Sequence, residues 1–262
     1  MLTDHEPITP AQTTFLKLID AFLHSNPNVY DAKSYAFLIP ALRDLLLYAQ
    51  ASLRSSLGAS VTAGNRSVVN VTRAAAPDAP PPPPPSTDAR LPKVCEALVL
   101  IAQSLAALLL REHDLQASSS APAPVQLKHQ LLSVSDGTLE LLIDVLRLFD
   151  AFLPRVGLHI VPGTDLSGFA YVKRDLVRVL GTLAHHDVSV QDRTNACGGI
   201  EVVLNLCVED ARNPYMREHA IFALHNLLRD HIANQRVVDE LKLTGVEDTE
   251  GILRDVRRGS RV

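Results

Sequence analysis

Apolar residues recur at helical spacing along most of this chain, broken by a few short polar and proline-rich stretches. Phe15, Ile19, Phe22 and Leu23 form one apolar line behind Thr9-Pro10-Ala11-Gln12. Thr9 can cap the helix, Pro10 suits its first position and Gln12 can close a capping box. Asn26-Pro27-Asn28 ends this run, and a second helical stretch is expected over 32–57, with Pro40 dividing it or opening a new first turn. Leu91 to His113 reads as a third helical region. Leu139, Leu142, Ile143, Leu146 and Phe149 form the stripe of a helix opened by Ser135-Asp136-Gly137-Thr138 and stopped at Pro154.

The stretch from Tyr171 to Gln235 repeats itself 44 residues on: Tyr171, Leu180, Leu183 and Gln191 align with Tyr215, Leu224, Leu227 and Gln235. Lys173 aligns with Arg217, Val177 with Ile221 and Val188 with Ile232. A helical period of about 40–47 residues is that of armadillo and HEAT arrays, whose units stack because one helix pair cannot bury its apolar side alone. Buried faces are expected at Leu176, Val179, Leu180 and Leu183, then at Ala220, Ile221, Leu224, Leu227 and Leu228, then at Val237, Val238 and Leu241. His185-His186-Asp187 closes the first of these helices, Gly198-Gly199 turns the chain, and Asn213-Pro214 reads as a cap followed by a first-turn proline.

The order Gly198-Gly199-Ile200, Asn213-Pro214, Arg217-Glu218, Asn226-Leu227-Leu228 and Asn234-Gln235, with Lys173-Arg174-Asp175 and Gln191-Asp192 upstream, resembles the C-terminal domain of the ataxin-10 family over about 169–250. The resemblance implies an armadillo-like α-solenoid and a role in regulation of cytokinesis. Fungal members are also called copper transport protein homologues, which implies metal handling as the alternative. Members are generally longer, so a shortened version of the family is a further alternative. The expected architecture is all-α, an armadillo/HEAT-like α-solenoid with a disordered proline-rich insertion. Its parts are a helical region over 1–57, the linker 58–92, a helical region over 93–154, the repeat domain 169–250 and a basic tail 251–262.

Composition agrees with helix. Apolar residues make up 47% of the chain, glycine is sparse at 12 and tryptophan is absent. The net charge of −4 sets up no field for nucleic acid. Cys95, Cys197 and Cys207 are odd in number and widely spaced, which is no disulfide framework and fits a reducing cytoplasm. Met1 to Pro10 lacks an apolar signal core, and Ala97 to Leu110 is shorter than a bilayer span, so no membrane role is expected. The six prolines Pro80 to Pro85 exclude helix and sheet interior, and are of the kind that docks on aromatic grooves of proline-binding modules.

Enzyme signatures are missing: there is no phosphate-cradling glycine motif, no G-x-S-x-G and no H-E-x-x-H. Cys197 reads as a helix-end cysteine without a basic activator. No cofactor or metal is expected, because His219, His225 and His231 scatter around a helix and the adjacent His185 and His186 should point apart. Binding of protein partners remains. The solenoid groove would be lined by the helix over 214–229, and Arg217, His225, Asn226 and Arg229 are its candidate partner-binding residues, Arg and Asn offering donors to carboxylates and backbone.

Overall fold

The computed structural model describes residues 6–58, 88–118, 126–133, 137–153, 167–208, 210, 213 and 215–243. The proline run Pro80–Pro85 and the tail 251–262 lie outside the described residues. Within them the protein is all-α. The helices are α1 (Pro10–Ser25), α2 (Ala32–Tyr35), α3 (Leu38–Leu57), α4 (Leu91–Ser118), α5 (Leu127–Leu131), α6 (Thr138–Phe152), α7 (Val172–Ala184), α8 (Val188–Ala196), α9 (Gly199–Leu206), α10 (Met216–Leu228) and α11 (Ile232–Leu243).

Several boundaries follow from single residues. Thr9 and Gln12 make the reciprocal capping box: Thr9 Oγ1 accepts from the Gln12 amide at 3.3 Å and Gln12 Oε1 accepts from the Thr9 amide at 2.8 Å. Pro40 falls in the first turn of α3, where its missing N–H costs nothing, and the break before it separates α2 from α3. Gly198, at φ 67°, makes the left-handed step into α9. Two starts differ from the sequence reading. Tyr215, not Asn213, directly precedes α10, and the Asn213 side chain instead donates to Asp210 Oδ2 at 2.6 Å. The five-residue α5 was not foreseen; it is too short to show a period, and its start is held by Glu112, whose Oε2 accepts from the Leu127 amide at 2.9 Å.

Every third helix joins one row: α1 packs on α4, α4 on α7 and α7 on α10. Behind that row α3 packs on α6 and α6 on α9, while α8 and α11 fill the junctions beside α9. Leu16, Ile19 and Leu23 seat α1 on this core, and Leu98, Ile101, Leu105 and Leu108 bury α4. By length and composition α4 and the stretch Ala32–Leu57 are long and apolar enough to cross a membrane. In the fold α4 instead lies between α1, α3 and α7, with most of its apolar side chains covered.

The 44-residue echo is a repeat of backbone as well as of residue type. The helices α7 and α10 are each 13 residues long and offset by that spacing. Tyr171 and Tyr215 precede them in the left-handed region, at φ 68° and 65°. His185 and Arg229 follow them in extended conformation, and His186 and Asp230 turn left-handed at 51° and 55°. The expected faces at Leu176, Val179, Leu180, Leu183, Ala220, Leu224 and Leu227 are fully buried, whereas Ile221 and Val237 are only partly so. Close approach sets the α7–α10 crossing: a Cβ on Gly181 would stand 2.8 Å from the Ala223 Cα.

Polar side chains lock the junctions. Gln191 Nε2 donates to the carbonyls of Asn226 (2.8 Å) and Arg229 (3.1 Å), and Asn234 Nδ2 to that of Leu227 (2.8 Å). Gln235 Nε2 reaches the Leu228 carbonyl at 2.8 Å. These carbonyls end α10 and lack intrahelical donors, so the amides complete the accounting there. Lys173, 1% exposed, joins α6 to α7: its Nζ donates to the Leu153 carbonyl (3.2 Å) and lies 3.4 Å from Asp150 and 3.7 Å from Asp210.

Candidate interaction surface

The side of α10 left uncovered by its neighbours carries Tyr215, Glu218, Phe222, His225 and Arg229, at spacings of three or four residues. The equivalent side of α7 carries Tyr171, Arg174, Arg178 and His185. The two stripes lie on adjacent helices of the row, with the Phe222 ring resting at Gly181, 3.1 Å from where a Cβ would be. Arg174 is committed locally: it donates to both oxygens of Asp175, at 3.1 and 2.8 Å, and its guanidinium lies 4.3 Å over the Tyr171 ring. Asp175 also accepts from Gln103 of α4 at 3.0 Å. Arg178 is half-buried, and its charge reaches Asp20 of α1 and His219 of α10. Burial, with Arg178 and Arg174 beside it, holds the His219 imidazole below its ordinary pKa. Burial raises that of Asp20, with His24 opposing.

The structure brings two of the four candidate residues onto this surface. Arg229 is exposed just past α10, with Nε 3.7 Å from the carboxylate of Asp230. His225 is half-buried on the same stripe. Arg217 is half-buried on another side of α10, where its charge reaches the buried thiol of Cys207. Asn226 is 2% exposed, and its amide is occupied within the fold: Nδ2 donates to the Gly181 carbonyl at 2.9 Å and Oδ1 faces His185 Nδ1 at 3.3 Å. It is a strut between α10 and α7, and a partner's backbone has no access to it. The residue type was legible, but helical spacing alone does not say that the neighbouring helix covers this position. Arg178 and Phe222 occupy matching places in the two units and mark the open stripe better.

A second correction concerns the histidines. His185 and His186 do not point apart: their ring centroids are 4.3 Å apart, because the left-handed backbone of His186 folds its ring back. His113 of α4 joins them, 4.9 Å from His185. Among the described residues no group of three or more His, Cys, Asp or Glu side chains could hold a metal ion. The Cys197 thiol is pushed up by burial and by Glu140, which is no environment for an activated nucleophile. A cavity of about 350 Å³ at the α1–α3 end is lined by Pro7, Ile8, Phe15, Phe37 and Leu45, among others, and is mainly apolar.

Comparison with known proteins bears on the same part of the chain. A family model described as the spinocerebellar ataxia type 10 protein domain matches residues 172–258, so the match begins with α7 and runs on into the segment read as a basic tail. An ataxin-10 homolog of Dictyostelium discoideum is 40% identical over 78 residues, which are 30% of this chain and 13% of that protein. Ataxin-10 of Bos taurus is 30% identical over 134 residues, covering 45% of this chain and 26% of that protein. The homolog of Candida albicans is 29% identical over 86 residues, covering 33% and 19%. No solved structure matches. None of these matches bears on copper. The chain thus spans about a quarter or less of the curated relatives named here; the family-model match takes in α7 to α11, and the Bos taurus match extends over more of the chain than that region.

Proposed function

We propose that this chain is a non-catalytic, armadillo-like α-solenoid that acts as a protein-interaction scaffold. The observation that carries the reading is the repetition of one open stripe on α7 and α10, framed by the same backbone turns at Tyr171/Tyr215 and His186/Asp230. Stacked units that present equivalent positions side by side suit an extended partner segment that crosses several helices. His225 and Arg229, with Arg178 and Phe222, would contact it. Arginine offers a bidentate donor fork to carboxylates, and the aromatic ring offers apolar area at small entropic cost. The similarity to ataxin-10 proteins, taken with the family's association with regulation of cytokinesis, supports a cytoplasmic role in cell division.

The test is a pull-down from dividing cells with the intact chain and with the triple variant Phe222→Ala/His225→Ala/Arg229→Ala. Division-machinery partners should be retained by the intact chain and lost by the variant, at unchanged melting temperature. Identical partner sets from both would overturn the assignment of this stripe.

A further inference from the structure

Phe15, Ile19, Phe22 and Leu23 form one apolar line in the sequence, but the fold divides it. Ile19 and Leu23, with Leu16, face the core, whereas Phe15 and Phe22 stay open, 53% and 47% exposed, with Leu18 between them at 64%. Ala11 is exposed as well. Ala11, Phe15, Leu18 and Phe22 are spaced by four, three and four residues, the spacing of a coiled-coil seam. At 3.6 residues per turn they fall within about 60° of one another around α1. The charged or titratable residues of α1, Lys17, Asp20 and His24, stand about 130° or more from the middle of that sector. The seam itself carries no charge. Beside it the Phe37 ring lies 5.9 Å from that of Phe15, at the mainly apolar cavity of about 350 Å³.

This face is large for one left to water. Phe15, Leu18, Phe22 and Phe37 together leave on the order of 300–500 Å² of apolar surface open. Doubled, and with a polar rim that includes Gln12 and Asp44, it comes to the small end of specific interfaces, about 1,200 Å² over both partners. The seam also fits its own copy. In an antiparallel pair with the two-fold axis between residues 16 and 17, Ala11 meets Phe22 of the second copy and Phe15 meets its Leu18, and the same contacts recur across the axis. Every layer then sets a ring against a smaller side chain. A parallel pair would instead set ring against ring and leave a gap at Ala11. Pro7, Ile8 and Gln12 flank Ala11 in sequence and line the cavity, so the second copy's Phe22 ring arrives at a hollow. An uncharged face meets its own copy without like-charge repulsion.

The geometry points to a two-fold dimer in which two copies of this chain pair antiparallel through the Ala11–Phe15–Leu18–Phe22 seam of α1, each lodging its Phe22 ring at the other's α1–α3 cavity. The inference goes beyond the scaffold role and does not depend on it. Sedimentation velocity of the untagged full chain over about 1–500 μM, the range suited to a small interface, tests it. The expected result is a shift from monomer to dimer with rising concentration that persists at high salt. Leu18→Glu should weaken pairing at least tenfold while its melt in dilute solution matches the parent, since the residue is exposed. Ala11→Phe should weaken pairing too, and the exchange Ala11→Phe/Phe22→Ala should restore it, because each layer regains one ring and one small side chain. A parent that stays monomeric, an assembly larger than a dimer, or a dimer indifferent to Leu18→Glu would overturn the proposal, as would an exchanged chain that pairs no better than Ala11→Phe alone.

Discussion

The two halves of the molecule are joined by different means. From α7 onward the helices are tied by side-chain amides that reach into neighbouring carbonyls: the buried Gln191, Asn226 and Asn234 and the exposed Gln235 all act this way. Between α1 and α6 the cross-links run largely between side chains, such as Tyr30 to Glu112 (2.6 Å), Tyr48 to Asp88 (2.5 Å) and Gln50 to Asp144 (2.7 Å), over a leucine-rich core. An amide that must meet a particular carbonyl tolerates few replacements, whereas one apolar side chain of suitable size can replace another. The C-terminal half therefore carries a repeat visible in its residues, and the N-terminal half shows only generic helical patterning.

The largest effect should come from the ionic joint that opens the C-terminal half. Lys173→Met removes the cation from between Asp150 and Asp210, and loss of one partner from a buried pair costs about 3–5 kcal/mol. Denaturant unfolding should report that loss, and a stability unchanged within error would show the joint to be dispensable. Next is Leu224→Ala on the fully buried face of α10, expected to cost about 2–5 kcal/mol in the same measurement.

The comparison between halves is sharpest in a matched pair. Asn226→Ala strands the Gly181 carbonyl and His185 Nδ1 and should cost about 1–3 kcal/mol. Tyr30→Phe removes one donor from Glu112, which still accepts from the Leu127 amide, and should cost about 0.5–1.5 kcal/mol. Equal losses would break the distinction drawn between the halves.

The smallest effect concerns acid. Arg193 donates to both oxygens of Glu140, at 2.8 and 2.9 Å, and holds that carboxyl below its ordinary value. A carboxyl with a lowered folded pKa stabilises fully above its unfolded value and loses that contribution as pH falls through the folded one. The melting-temperature gap between the parent and Glu140→Gln should thus be present at neutral pH and close in acid, as pH falls below the ordinary glutamate range. A gap that persists in acid would mean that the pair is not what holds α6 to α8.

Much of the fold could be read from residue order because its signals are local. Thr9-Pro10 and Gln12 announce a helix start wherever they occur, and Tyr171/Tyr215 to Gln191/Gln235 announce a repeat. The surface was less legible, since orientation depends on what packs alongside. Asn226 and Arg217 have the chemistry of contact residues, yet one is sealed by α7 and the other faces away from the open stripe. Spacing does not say which residue past a helix end turns to positive φ, so the meeting of His186 with His185 and His113 could not be read from it.

The row arrangement has a consequence for motion. Each row helix leans chiefly on the helix before and the helix after it, so damage or opening at one end need not propagate along the whole stack. α11, supported by α8, α9 and α10, should exchange its amide hydrogens well before α4, which is gripped by α1, α3 and α7, and the gradient of protection should run outward from α4.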